Sequence, residues 1–288
     1  MLLKVLAIGQ QKNGKTGSLA SLLDKGFRIR LADFDGNAIP IYTFSKKENH
    51  KNLTVLDCRD QFVGAHGLLE GRNKSDTMPY LKQSVWGYRT LMTALATKKW
   101  VDGSDPTQWD ENDVFVIDSL TSLTSSYERY VDAQDNAIWR KKNYDFYNKA
   151  YAFLISNLIV PISTLNCHFV LISHYSRRQP EEVLQTVNEI EMRDLSSDVA
   201  RKVHEMIAKR YLEEAENIKA EGVIPIAPSA KIGNILISYF NTVLHFKDRK
   251  IYTMPLPENP KVCLPLPGFP REMPLGDLAG IFGAAVKS

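Results

Sequence analysis

Little in this chain marks it for export, redox chemistry or a membrane. Three cysteines in 288 residues, Cys58, Cys167 and Cys263, form no CxxC pair, and the one histidine near any of them is His168, beside Cys167. That excludes a disulfide framework and a zinc knuckle, and a reduced, cytoplasmic protein is expected. No apolar run is long enough to span a bilayer, so no membrane association is expected. The start MLLKVLAIG is also too short for a secretory core, and it runs directly into a polar loop, so it reads as a buried first strand. An excess of one charge is missing too. The 36 Lys and Arg residues against 33 Asp and Glu leave a formal +3, so any surface for nucleic acid has to be local.

With 44% hydrophobic and 24% charged residues, the chain can bury a large core. Apolar runs recur at LLKVLAI (2–8), FRIRLAD (27–33), LTVLDC (53–58), VFVID (114–118) and HFVLIS (168–173). Continuous runs of this kind suit strands covered on both faces. Helical patterns lie between most of them, which predicts an α/β fold with a mainly parallel sheet flanked by helices. The expected organisation is a core over 1–175, a charged helical insertion over 176–222, and a C-terminal part over 223–288. In that last part the strands TVLHF and KIYTM complete the core, and a proline-rich tail, LPLPGFPREMPLGDLAGIF, lies extended over a surface.

The segment Gly9-Gln10-Gln11-Lys12-Asn13-Gly14-Lys15-Thr16 fits GxxxxGK[ST], follows the first strand and opens a helix with Gly17 in its first turn. In a chain this long the pattern arises by chance on the order of once in a hundred, given glycine at about 7% of residues. In this setting backbone N–H groups surround phosphate oxygens, Lys15 reaches the β and γ phosphates, and the Thr16 hydroxyl ligates Mg²⁺. ATP and Mg²⁺ are therefore the expected ligands. Asp118 ends the buried run VFVID and is the candidate acid for the metal shell, although an Asp there also suits a helix cap. The second strand ends ADFDGN. Asp35 is the candidate for orienting an attacking water, and a turn built on Asp35-Gly36-Asn37 is the alternative. At the end of the fifth strand His174 is the candidate sensor of the γ-phosphate, with Arg177 and Arg178 close behind.

In this order, GQQKNGKT, ADFDGN, VIDSLTSLT and LISHYSRRQ resemble the motifs of RecA-like P-loop ATPases, and especially of small phage ATPases related to single-strand annealing recombinases. The resemblance covers roughly Leu2 to Ser176. It implies a RecA-like core, ATP hydrolysis, self-association into a ring or filament, and action on single-stranded DNA in recombination, annealing or replication in a phage-infected or prophage-bearing cell. Asp35 stands where the family often has a longer glutamate. The resemblance also implies that the loops after the second-motif and sensor strands face DNA. In the first, AIWRKKNYDFYNKAY joins Arg140, Lys141, Lys142 and Lys149 to Trp139, Tyr144, Phe146, Tyr147 and Tyr151, a mixture suited to phosphate contacts and base stacking. An amphipathic helix with its aromatic stripe turned inward is the alternative. The second loop is basic only at Arg177 and Arg178, because 176–222 holds eight Lys or Arg against eleven Asp or Glu. That balance suits a protein contact or a solvated spacer better than a DNA clamp. A neighbouring subunit is also expected to supply a cation to the site, and Lys247, Arg249 and Lys250 are the candidates, with a plain basic hairpin turn as the alternative. Two other readings stay open: a nucleotide-gated oligomeric scaffold with little hydrolysis, and a small-molecule phosphotransferase.

Overall fold

Each continuous apolar run becomes a strand, and four of the five are buried on both sides, the edge run 53–57 only partly. A computed structural model of the chain describes residues 1–61, 84–134, 151–174, 236–254 and 268–287, with a few positions between 202 and 213. The strands are β1 (Lys4–Gly9), β2 (Arg28–Asp33), β3 (Leu53–Asp57), β4 (Asp113–Asp118), β5 (His168–Ser173), β6 (Thr242–Lys247), β7 (Lys250–Tyr252) and β8 (Glu272–Pro274). They form one sheet in the order β3-β2-β4-β5-β1-β6-β7-β8. Strands β1 to β6 pair in parallel, and β7 and β8 add an antiparallel edge. The α/β expectation of a mainly parallel sheet flanked by helices therefore matches the structure.

Successive residues of a strand face opposite ways, so each strand feeds two cores. Phe115 and Ile117 join Leu6, Ile8, Phe169 and Leu171 on one face. Against them pack α4 (Gly87–Ala96), α5 (Leu120–Gln134) and the helical stretch that ends in α6 (Val160–Ser163). On the other face Val114 and Val116 join Val5, Ala7, Ile29 and Leu31. That face is covered by α1 (Lys15–Ser18), α2 (Ala20–Asp24), α3 (Ile39–Phe44) and α7 (Leu278–Lys287).

The tail departs from the sequence expectation. Beyond the short strand β8 the tail is not extended: it forms a 3-10 turn over Leu275–Asp277 and then α7. Gly280 and Gly283 lower the intrinsic helix tendency of this segment. Leu278, Ile281, Phe282 and Ala285, at helical spacing, are nevertheless buried, and that packing outweighs propensity. The Met1 ammonium donates to Ala285 O (2.7 Å), and Ala279 N–H donates to Ser21 Oγ (3.2 Å), which ties α7 to the segment before β1 and to α2.

At the N-terminal end of β4, Asp113 is buried and accepts from Arg28 Nε (3.0 Å), Arg28 Nη2 (2.8 Å) and Arg30 Nε (3.2 Å). Arg30 also pairs with Asp102. This network locks β2 to β4 at the end of the sheet away from Asp118. Cys58 and Cys167 are buried free thiols, and Cys263 lies outside the described residues. Among the described residues no helix is long and apolar enough to cross a membrane.

Candidate functional site

Parallel strands bring their C-terminal ends to one edge of the sheet, and the loops leaving β1, β2, β4 and β5 meet there. They wall a cavity of about 1250 Å³ whose lining includes Lys15, Thr16, Asp35, Asp118 and His174. Four motifs spread over 160 residues of sequence thus face one space.

The loop after β1 depends on two glycines for different reasons. A Cβ on Gly9 would stand 2.3 Å from the Phe246 carbonyl oxygen of β6, so only glycine lets the two strands run this close. Gly14 has φ +84, in the left-handed region, and its Cβ would stand 2.3 Å from Leu275 Cδ1. Asn13 Nδ2 donates to Phe246 O at 3.0 Å, which fastens the middle of the loop to β6. The Lys15 ammonium is buried and curls into its own loop, donating to Gly9 O (2.7 Å) and Gln10 O (2.6 Å). Burial pushes its pKa down to about 8, against the attraction of Asp118 and Asp35. Gln11, Lys12 and Gly17 also line the cavity, and Lys12 has a left-handed φ of 66.

Thr16 Oγ1 donates to Asp118 Oδ2 at 2.6 Å. Burial pushes the Asp118 pKa up to about 7, and the charges of Asp35 and Asp33 add to the rise, while the Thr16 hydrogen bond and Lys15 oppose it. The two side chains come from α1 and the end of β4, 102 residues apart in the chain. A hydroxyl and a carboxylate this close form a hard-oxygen donor pair suited to Mg²⁺, which keeps several waters and uses few protein ligands. Among the described residues no cluster of three or more His, Cys, Asp or Glu side chains could hold a metal. A cation here would need oxygen ligands beyond this pair.

The two acids of ADFDGN divide the roles that the sequence left open. Asp33 is buried and accepts from the N–H groups of Gly36 (2.8 Å) and Asn37 (3.1 Å), so it carries the turn. Asp35 is exposed in the cavity wall and accepts from Ser119 Oγ (3.3 Å) and from Ser122 Oγ. Ser122 was not anticipated, although it stands one helical step beyond Ser119. His174 Nδ1 is 3.0 Å from Thr121 Oγ1. Burial, followed by the charge of Lys15, pushes its pKa down to about 4, so the ring is neutral at neutral pH.

Tyr151, read from sequence among the base-stacking aromatics, is buried in the core and follows the inward-facing alternative. Apolar neighbours claim its ring, so it cannot stack on a base. Arg140, Lys141, Lys142, Arg177 and Arg178 lie outside the described residues, as does most of 176–222. Of the hairpin cations, Lys250 pairs with Glu272 at 2.9 Å, whereas Arg249 lines the cavity of its own chain. No protein-family model matches the chain, and no curated protein is similar to it beyond chance.

Proposed function

We propose that the chain is an Mg²⁺-dependent ATPase with a RecA-like core that self-associates and acts on single-stranded DNA in phage recombination, annealing or replication. The observation that carries the nucleotide part is the 2.6 Å contact between Thr16 and Asp118, inside a cavity that also holds Lys15 and Asp35. A plain surface turn before a helix requires neither a buried lysine nor a buried carboxylate.

In this reading the backbone N–H groups of 10–16 hold phosphate oxygens. The Lys15 ammonium leaves the carbonyls of Gly9 and Gln10 to meet the β and γ phosphates. Thr16 and Asp118 would hold Mg²⁺, which would supply neutralisation of the phosphate charge. Asp35 orients a water towards the γ-phosphorus, and the bond to the β-phosphate oxygen breaks to leave ADP and inorganic phosphate. His174, tied to Thr121, meets the γ-phosphate as a neutral hydrogen-bonding group. Pro40, Phe44 and Leu275 add apolar side chains to the cavity lining, against which a base could pack.

One observation favours a second reading, a nucleotide-gated scaffold with little hydrolysis. The Asp35 carboxylate already accepts from Ser119 and Ser122, which competes with a water for the same lone pairs. The DNA part rests on the composition of 139–149 and on Arg177 and Arg178. Turnover of ATP with and without single-stranded DNA tests it, with Lys15→Ala as control. The ATPase reading expects turnover that DNA raises and that Lys15→Ala abolishes. Turnover indifferent to DNA, with no DNA binding in ATP, removes the recombination reading. Wild-type turnover no greater than that of Lys15→Ala favours the scaffold.

A further inference from the structure

Three basic residues flank the turn between β6 and β7, and their surroundings differ. Lys250 is held by Glu272 of the adjoining strand at 2.9 Å. Lys247 has interactions of its own. Arg249 makes no hydrogen bond or ion pair among the described residues, and it lines the same cavity as Lys12, Lys15 and Thr16. We infer that Arg249 is an anion-binding residue of the nucleotide site, supplied by the same chain that carries the phosphate loop and not by a neighbouring copy. The inference rests on the nucleotide-binding reading above and departs from the expectation that a second subunit provides the cation.

Register fixes the placement. β1 and β6 run parallel with Gly9 opposite Phe246. The Phe246 carbonyl both excludes a Cβ at Gly9 and accepts the Asn13 amide at 3.0 Å. The base of the hairpin is thereby stitched to the phosphate loop at two points, and Arg249 follows three residues later. The strand order β4-β5-β1-β6 sets this hairpin on the opposite side of the loop from Asp118 and His174. A polyphosphate in the loop would then meet the Thr16–Asp118 pair on one flank and a guanidinium on the other. Guanidinium groups suit phosphate because they present several donors in one plane.

The turn itself argues that the side chain is kept for a purpose. Lys247 pairs with Lys250, which leaves Asp248 and Arg249 as a two-residue loop with φ of 51 and 58. Two left-handed residues make the primed turn that matches strand twist, and its second position favours glycine. Arginine at that position carries strain that glycine would relieve. A strained residue whose side chain is unpaired and faces a cavity is the pattern of a functional position.

The test uses Arg249→Gly, which suits the turn, Arg249→Lys, and Lys15→Ala. Each is measured for binding of a fluorescent ATP analogue with Mg²⁺ and for melting temperature. The inference expects Arg249→Gly to melt at or above the wild-type temperature while binding the analogue about 10- to 100-fold more weakly, with Arg249→Lys in between. It also expects that mixing Arg249→Gly with Lys15→Ala restores no binding or turnover beyond the sum of the two, because no mixed site is complete. Wild-type affinity in Arg249→Gly, with Lys15→Ala still defective, overturns the inference and leaves the phosphate loop standing. Recovery on mixing overturns it in favour of a neighbour's cation. Wild type, Lys15→Ala and Arg249→Gly all failing alike to bind overturns the nucleotide reading and the inference with it.

Discussion

Adding one methyl group at Gly9 and one at Gly14 separates two kinds of crowding around the loop after β1. At Gly9 the new Cβ meets the backbone oxygen of Phe246 at 2.3 Å and the Phe246 Cβ at 3.0 Å. Neither atom can swing aside, so β1 and β6 must part or the loop must shift. Crowding that a packed site cannot relax costs about 1–3 kcal/mol. Loosening the Asn13–Phe246 hydrogen bond adds about 1 kcal/mol. Gly9→Ala is therefore expected to destabilise the chain by about 3 kcal/mol, a fall in melting temperature of roughly 6–12 °C. At Gly14 the obstacle is Leu275 Cδ1, the tip of a side chain, and a φ of +84 adds about 1–2 kcal/mol for any Cβ. Replacing Leu275 by alanine should then recover the steric part of Gly14→Ala, leave the backbone part, and do nothing for Gly9→Ala. Thermal and urea denaturation of wild type, the three single variants and the two doubles measures both couplings. Gly9→Ala as stable as wild type, or rescued by Leu275→Ala, would refute the claim that the β6 backbone presses on the loop.

Two further outcomes follow from groups around and away from the site. Asp113→Ala leaves Arg28 and Arg30 without their shared buried partner and should lower stability by about 3 kcal/mol. ATP affinity below the new melting temperature should stay unchanged, measured on the same samples by titration. His174 and His168 both have pKa values pushed down to about 4 by burial. As pH falls from 6.5 towards 4, the unfolded chain takes up protons that the folded chain refuses, so stability falls across that window. His174→Asn removes one of the two contributions, and melting temperatures between pH 7 and pH 4.5 should show a shallower fall than in wild type.

The parts of this molecule that sequence made legible are those whose physics is local. VFVID and HFVLIS read as covered strands because their apolar stretches, 114–117 and 169–172, are unbroken, and that continuity is what burial on two faces demands. GQQKNGKT and Asp118 read as a pair because loop chemistry and the end of a strand are both written in short windows. Which of Asp33 and Asp35 carries the turn was not legible, since either acid suits it and only the placement of Ser119, just before α5, and Ser122, on α5, separates them. The side of the loop on which Arg249 lies was not legible either. It depends on the pairing of β1 with β6, more than 230 residues away in sequence. Helix α7 escaped notice because Gly280 and Gly283 conceal a pattern that tertiary packing completes.

Calorimetric titration of the chain with ATP, in Mg²⁺ and then in EDTA, bears most directly on the central claim that Lys15, Thr16 and Asp118 form a metal-dependent phosphate site. The account predicts one nucleotide per chain, bound at least tenfold more tightly with Mg²⁺ than without it, and a loss of that binding in Lys15→Ala and of its metal dependence in Asp118→Asn. Binding of equal strength in EDTA or in the Lys15 variant, or none in the wild type, would contradict it.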